Sequence, residues 1–225
     1  MSERLTALIA FDCSGASCSA AVLVDGRIAA ERFAAMERGQ AEALLPMIQD
    51  TMAEAGVDWT RIDAIATTVG PGSFTGVRLG LSAARGLALA ADRPILALTA
   101  FQALAAGLVR DGRPVAIAID SRRGPVFAQR FDALLNPTGE PAQIEPEEIA
   151  AWLGSGPWRI AGDGVANLAD VAFADGVQVE PEIRRIRAGD LARAALALGP
   201  AATERLPAHP LSLRAPDVSQ PKPRP

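Results

Sequence analysis

Leu5–Ala34 reads LTALIAFDCSGASCSAAVLVDGRIAAERFA, and it decides the architecture. Leu5–Cys13 is an apolar run that closes on a single carboxylate, Asp12, which predicts a buried strand with a polar residue at its C-terminal end. Cys18–Val24 is a second such run. Asp25-Gly26 then supplies the two positive-φ residues of a tight hairpin turn, and Arg27–Ala34 returns as a third strand. Downstream the period changes from 2 to 3.6. Ala41, Leu44, Leu45, Ile48, Met52 and Ala55 recur on one side, so Gln40–Ala55 is a predicted amphipathic helix ended by Gly56.

The alternation continues through Val109. Ile62–Val69 is a strand, Gly70–Gly76 a glycine-rich loop, Val77–Ala91 a helix and Pro94–Leu98 a strand. Thr99 and Gln102 form a capping box that opens the helix Ala100–Val109. Three hairpin strands followed by α-β-α-β-α is the pattern of a ribonuclease-H-like lobe. After the turn Asp111–Pro114 a second lobe opens on another strand pair, Val115–Asp120 and Val126–Asp132. It continues with a loop (Asn136–Pro146), a short helix (Glu147–Leu153), two weak strands (Trp158–Ala161 and Val177–Val179) and a helix capped by Asp190 that runs to Leu198. Ile9–Ser14 and Ala116–Ser121 echo one another, each a first hairpin strand ending in Asp. The expected fold is therefore α/β and two-lobed, of the actin/sugar-kinase/Hsp70-like class, with the second lobe reduced. The expected domains are 1–109, 110–205 and a proline-rich tail, 206–225, disordered toward its end.

Composition narrows the chemistry. The chain has 225 residues and a net charge of −4, with a pI near 5.1. It lacks the basic footprint of a protein that holds nucleic acid alone. His209 and Lys222 are its sole His and Lys, and it has no Tyr, so the commonest general bases and Schiff-base nucleophiles are nearly absent. Cys13 and Cys18 read as free thiols, too few for a zinc site. No apolar run approaches the roughly 18 residues of a membrane helix. Leu5–Phe11 is too short for a signal peptide and stops at Asp12. Cytoplasmic residence without membrane contact is the expectation. Arg184-Arg185-Ile186-Arg187 is a basic cluster, read as a solvated loop.

Gly70-Pro71-Gly72-Ser73-Phe74-Thr75-Gly76-Val77-Arg78 carries the most information. Glycines, hydroxyls and a helix N-terminus can form an anion or nucleotide loop through Gly70, Gly72, Ser73, Thr75 and Gly76. They serve equally as a tight strand-to-helix turn with a hydroxyl cap. The Gly-Lys-Ser/Thr of a Walker loop is missing.

With this stretch the chain resembles the TsaB (YeaZ) family over nearly its whole length. Asp12 and Ser14, Leu45-Pro46, Asp120-Ser121-Arg122-Arg123 and Pro210-Leu211-Ser212-Leu213-Arg214 follow in the family's order. Ser212, Pro125, Phe127 and Gln40 depart from the Tyr, Glu, Tyr and His common in the family. The resemblance implies a non-catalytic subunit in the formation of threonylcarbamoyladenosine at adenosine 37 of tRNA. Its partners would be a TsaD-like paralogue, which holds the metal and transfers the group, and a TsaE-like ATPase; a homodimer would form when it is alone. tRNA would be reached only through the complex, and ATP or ADP only at a partner interface, with no cofactor of its own. A single His cannot rebuild the paralogue's two-His metal site, so no metal is expected.

The alternatives are an autonomous phosphotransferase or a glycoprotease-like peptidase. Against the first, Asp12 and Asp120 read as a vestigial cleft, with Arg122 and Arg123 where a metal would sit. Gly76, Gly80, Ala84 and Ala88 form a small-residue stripe that, with Met47, is expected to meet a partner helix, or else to lie on the chain's own sheet.

Overall fold

The computed structural model describes residues 5–182, 184–199 and 207–213. Its first sheet runs in the order β3-β2-β1-β4-β5. Strands β1 (Ala7–Asp12), β2 (Ser17–Val24) and β3 (Arg27–Ala35) are antiparallel. β4 (Ala64–Thr68) and β5 (Ile95–Leu98) add in parallel. Every residue of β1 is buried, because both faces of this central strand are covered. Ile9, Phe11 and Cys13 face the helices α1 (Gln40–Ala55) and α2 (Phe74–Ala91), beside Leu44, Ile48, Met52 and Ala84. Leu8 and Ala10 face α3 (Ala100–Ala106) and α5 (Ala188–Leu198), beside Phe101, Leu104, Leu191 and Ala192.

The second sheet has the order β10-β9-β6-β7-β8, built from β6 (Val115–Asp120), β7 (Val126–Phe131), β8 (Ala142–Ile144), β9 (Arg159–Ala161) and β10 (Gln178–Val179). Val115, Ile117 and Ile119 of β6 join the same core as Phe101 and Leu104. Ala116 and Ala118 face outward onto α4 (Ile149–Leu153) and the 3-10 turn Asp163–Leu168. α3 is thus the layer that binds one sheet to the other, with Phe101 fully buried in it.

Several sequence expectations are corrected. α2 begins at Phe74 rather than Val77, because the Ser73 hydroxyl accepts the Gly76 N–H (3.0 Å) and caps the helix earlier. α3 ends at Ala106. The stretch read as a loop, Asn136–Pro146, contains β8, which pairs antiparallel with β7. Asp190 lies inside the first turn of α5 and does not cap it; Glu31 of β3 accepts the Gly189 N–H (3.0 Å) instead. A carboxylate from a distant strand thereby meets an orphan N–H at the helix start. α5, assigned to the second lobe by its place in the chain, packs on the first sheet and beside α3.

The basic cluster is no solvated loop either. Arg184 donates to the Gly107 carbonyl at the end of α3. The Ile186 carbonyl accepts from Ser19 (3.2 Å) and Arg187 pairs with Glu31 (3.1 Å). The part of the proline-rich tail that is described, Pro207–Leu213, lies against the first lobe. The expectation of a disordered end falls on residues 214–225, outside the described residues.

Candidate functional site

The Gly70–Gly76 loop is a dock between α2 and the β1–β2 hairpin. Val69 donates to the Leu98 carbonyl (2.8 Å), and the Gly70 carbonyl accepts from Ala100 (2.7 Å), which fixes the loop to β5 and α3. Gly70 has φ +104, a conformation L side chains resist, and the Gly70–Pro71 peptide is cis. The Ser73 N–H donates to the Ser14 carbonyl (2.7 Å). A Cβ on Gly72 would lie 2.6 Å from that same oxygen, and one on Gly76 would collide with the Cys13 carbonyl. These glycines let α2 approach the end of β1 at backbone distance. Of the two roles open to this stretch, the strand-to-helix turn with a hydroxyl cap is present. The N–H groups of Ser73 and Gly76 are taken by Ser14 and by the Ser73 hydroxyl; Thr75 is exposed on the outer side.

The small-residue stripe continues this dock. Gly76, Gly80 and Ala84 are buried against the chain's own sheet, with Gly80 facing Thr67 and the Cys13 thiol. Ala88 and Met47 are half-buried against the same cluster. Gly76, Gly80 and Ala84 thus lie on the chain's own sheet, the second of the two arrangements expected for the stripe. What α1 and α2 present outward is different: Leu45, 49% exposed, and Phe74 and Leu89, 72% and 86% exposed. The Arg78 guanidinium stacks 3.4 Å above the Phe74 ring. Phe74, Arg78 and Leu89 fall within one helical face, at spacings of four and eleven residues.

The two strand-tip carboxylates occupy unrelated settings. Asp12, 1% exposed, accepts from the Thr68 hydroxyl and from the Ser14 N–H (3.2 Å). Burial pushes its carboxyl above the ordinary value, against the pull of those bonds. Next to it the Cys13 thiol donates to the Gly76 carbonyl (3.4 Å), and burial raises its pKa well above that of a free thiol. Cys18, also buried, is raised to about 11 by burial and by Asp12; both thiols are free and unreactive in these surroundings.

Asp120 is half-exposed and accepts from the Arg122 N–H (2.7 Å) and from Asn167 (3.2 Å). Its own N–H donates to Asp163 (3.0 Å), whose carboxyl burial pushes up. Strand alternation explains the separation. Asp12 shares a face with Leu8 and Ala10, toward α3 and α5. Asp120 shares one with Ala116 and Ala118, on the outer side. The two carboxylates, read together as a vestigial cleft, lie on opposite faces of their respective strands. Across the lobes, Arg122 instead reaches Glu37 in the β3–α1 loop (3.9 Å). No three His, Cys, Asp or Glu side chains gather as metal ligands among the described residues. Asn167, Asp163 and Glu31 carried no sequence signal, since each acts on a partner far away in the chain.

The chain matches the family model of TsaD, tRNA N6-adenosine threonylcarbamoyltransferase, over residues 34–179. It is 32% identical to the tRNA threonylcarbamoyladenosine biosynthesis protein TsaB of Escherichia coli, over 76% of this chain and 77% of that one. The chain belongs to the TsaB family. Among solved structures, YeaZ from Pseudomonas aeruginosa superposes with a TM-score of 0.80 at 32% identity, over 93% of this chain and all of that one. The activator of 2-hydroxyisocaproyl-CoA dehydratase from Clostridium difficile shares the fold alone, with a TM-score of 0.50 at 10% identity over 88% and 96% of the two chains. These likenesses agree with the two-lobed fold of the actin/sugar-kinase/Hsp70 class. No helix among the described residues is long and apolar enough to cross a membrane.

Proposed function

We propose that this chain is a non-catalytic subunit of the machinery that forms N6-threonylcarbamoyladenosine at position 37 of tRNA. It supports a TsaD-like metal-dependent transferase, together with a TsaE-like ATPase, in the cytoplasm. The observation that carries this reading is the state of Asp12. In a phosphotransferase of this fold class the first strand-tip carboxylate has to reach solvent, metal and phosphate. Here it is sealed, and its two hydrogen bonds are to Thr68 and Ser14. Asp120 lies on the outer face of its own sheet, bonded to the Arg122 N–H and to Asn167.

The outward face of α1 and α2 supplies what a subunit needs instead. Phe74, Arg78, Leu45 and Leu89 are of the residue types that anchor interfaces, an aromatic and an arginine among exposed aliphatics. On this reading the face docks on the paralogue. Two copies of the chain pair through it when no paralogue is present. ATP or ADP is met only at a partner interface, and tRNA only through the assembled complex.

The test is titration of the chain with the TsaD-like protein of the same cell, followed by assay of the modified nucleoside. Phe74→Glu removes an anchor from an exposed site. It is expected to weaken binding at least tenfold, about 1.4 kcal/mol, and to lower modification in step while the thermal midpoint stays within a degree or two. Wild-type binding by Phe74→Glu would remove this face from the interface. ATP turnover by the purified chain alone would overturn the non-catalytic assignment.

A further inference from the structure

α1 and α2 lie side by side on one face of the first sheet, and their charges are of opposite sign. α1 carries Glu42, Asp50 and Glu54 and no basic residue; α2 carries Arg78 and Arg85 and no acidic one. Glu54 is taken by Arg32 of β3 (2.9 Å). The other four are exposed, and none has an ion-pair partner among the described residues. Arg78 and Arg85 donate only to the carbonyls of Phe74 and Ala208.

The strands fix how the two helices run. β3, β4 and β5 all point the way β1 does. α1 joins β3 to β4 and α2 joins β4 to β5, so both helices run back in the same direction from the same edge of the sheet. Glu42 is the third residue of α1 and Arg78 the fifth of α2; Asp50 is the eleventh and Arg85 the twelfth. On helices that start at one edge, about 1.5 Å of rise per residue sets each acid within roughly 3 Å of the level of one arginine.

We propose that a second copy of this chain docks on this face with its α2 over α1 and its α1 over α2, about a two-fold axis parallel to the helices. The pairing rests on the reading of the face as a docking surface. Rotation about such an axis exchanges the helices across the interface and keeps their direction and level. Glu42 of each copy then faces Arg78 of the other, and Asp50 faces Arg85. Leu45, the sixth residue of α1, meets the stack of Arg78 on Phe74. A two-fold axis across the helices lays α1 on α1 instead, and sets acid against acid and arginine against arginine. Charges around an apolar centre add little affinity but decide orientation, because like charges brought together are costly.

Sedimentation equilibrium of the full chain, without the paralogue, tests the arrangement. The wild-type dimer is expected to weaken at least tenfold from about 0.05 to about 0.5 M NaCl. Glu42→Arg with Asp50→Arg should weaken it at least tenfold at low salt, and so should Arg78→Glu with Arg85→Glu. All four side chains are exposed, so these variants should melt with wild type. The four substitutions together exchange the signs of the two helices. That chain should pair with itself as wild type does, and should not form mixed dimers with wild type. Preferred mixed dimers would select α1 on α1 and overturn the proposal. A dimer broken by Phe74→Glu but unmoved by salt and by charge reversal would keep the face as an interface and overturn this arrangement of it. A wild-type chain that stays monomeric at about 0.1 mM would overturn the pairing and leave docking of the paralogue standing.

Discussion

Asp12 and Asp120 end two strands with nearly the same sequence, yet one is buried to 1% and the other stands half-exposed beside an arginine. The cause is phase. β1 turns its even-numbered residues to the middle layer, while β6 turns its odd-numbered ones there. A one-residue offset exchanges the two faces of a strand. Asp12 is thereby enclosed on the side of the middle layer, bonded to Thr68 and Ser14, and Asp120 is carried to the outer side, to Asn167. Two short sequences that look duplicated need not produce duplicated sites.

The largest effect is expected where α2 meets the end of β1, on the face opposite Asp12. Gly76→Val places a branched side chain where even a Cβ collides with the Cys13 carbonyl. The end of α2 must then lift from β1, and the loss of stability is expected to reach about 3 kcal/mol, the upper range for overpacking. Ala84→Leu, further along the same buried stripe, should cost about 2 kcal/mol. Urea denaturation measures both. The folded fraction of Ala84→Leu should bind the paralogue as wild type does, because the stripe faces inward. Weakened binding without destabilisation would return the stripe to the interface.

A subtler test uses pH. Burial raises the Asp12 carboxyl in the folded state, so the folded chain holds that proton to higher pH than the unfolded chain. The stability linked to Asp12 is then full below the ordinary carboxylate value. It declines as pH rises from there through the folded-state pKa. Asp12→Asn cannot ionise and lacks this decline. Relative to wild type, the variant's denaturation midpoint should improve steadily from pH 4 upward. The difference curve removes the contributions of Asp163 and Asp190, which are raised by burial as well. A difference independent of pH would show that Asp12 is not enclosed.

Much of this architecture is legible in the sequence where the physics is local. The helix Gln40–Ala55 is found at its expected limits, because its 3.6 period and Gly56 stop lie within one segment. The Thr99–Gln102 capping box is present for the same reason. What escaped depends on pairs of segments distant in the chain. The inward direction of Gly76, Gly80 and Ala84 is set by the Cys13 carbonyl and Thr67. The start of α5 depends on Glu31, and the path of Pro207–Leu213 on the Val69 carbonyl. A period or a turn signal cannot show which of two surfaces a stripe will meet. That is why the small-residue stripe suited a partner helix and the chain's own sheet equally well.

The smallest expected effect closes the comparison from the Asp120 side. Asp120→Asn keeps an oxygen for the Arg122 N–H and loses the charge that faces the Arg122 guanidinium at 3.5 Å. Arg122 is 57% exposed at its side chain, so solvent screens the pair, and the loss should stay below about 1 kcal/mol. Arg122→Ala removes the link to Glu37 as well. That pair is 3.9 Å apart and exposed on both sides, so it should add no more than about 0.5 kcal/mol. Raising the salt concentration should shrink both differences, since exposed charges are screened within about 10 Å at 0.1 M. The same salt series should leave the Asp12→Asn difference nearly unchanged, because that carboxyl lies out of reach of mobile ions. Opposite salt responses at the two strand tips are what the offset in phase requires. A salt-sensitive Asp12, or a salt-insensitive Asp120, would mean that the two carboxylates share one environment.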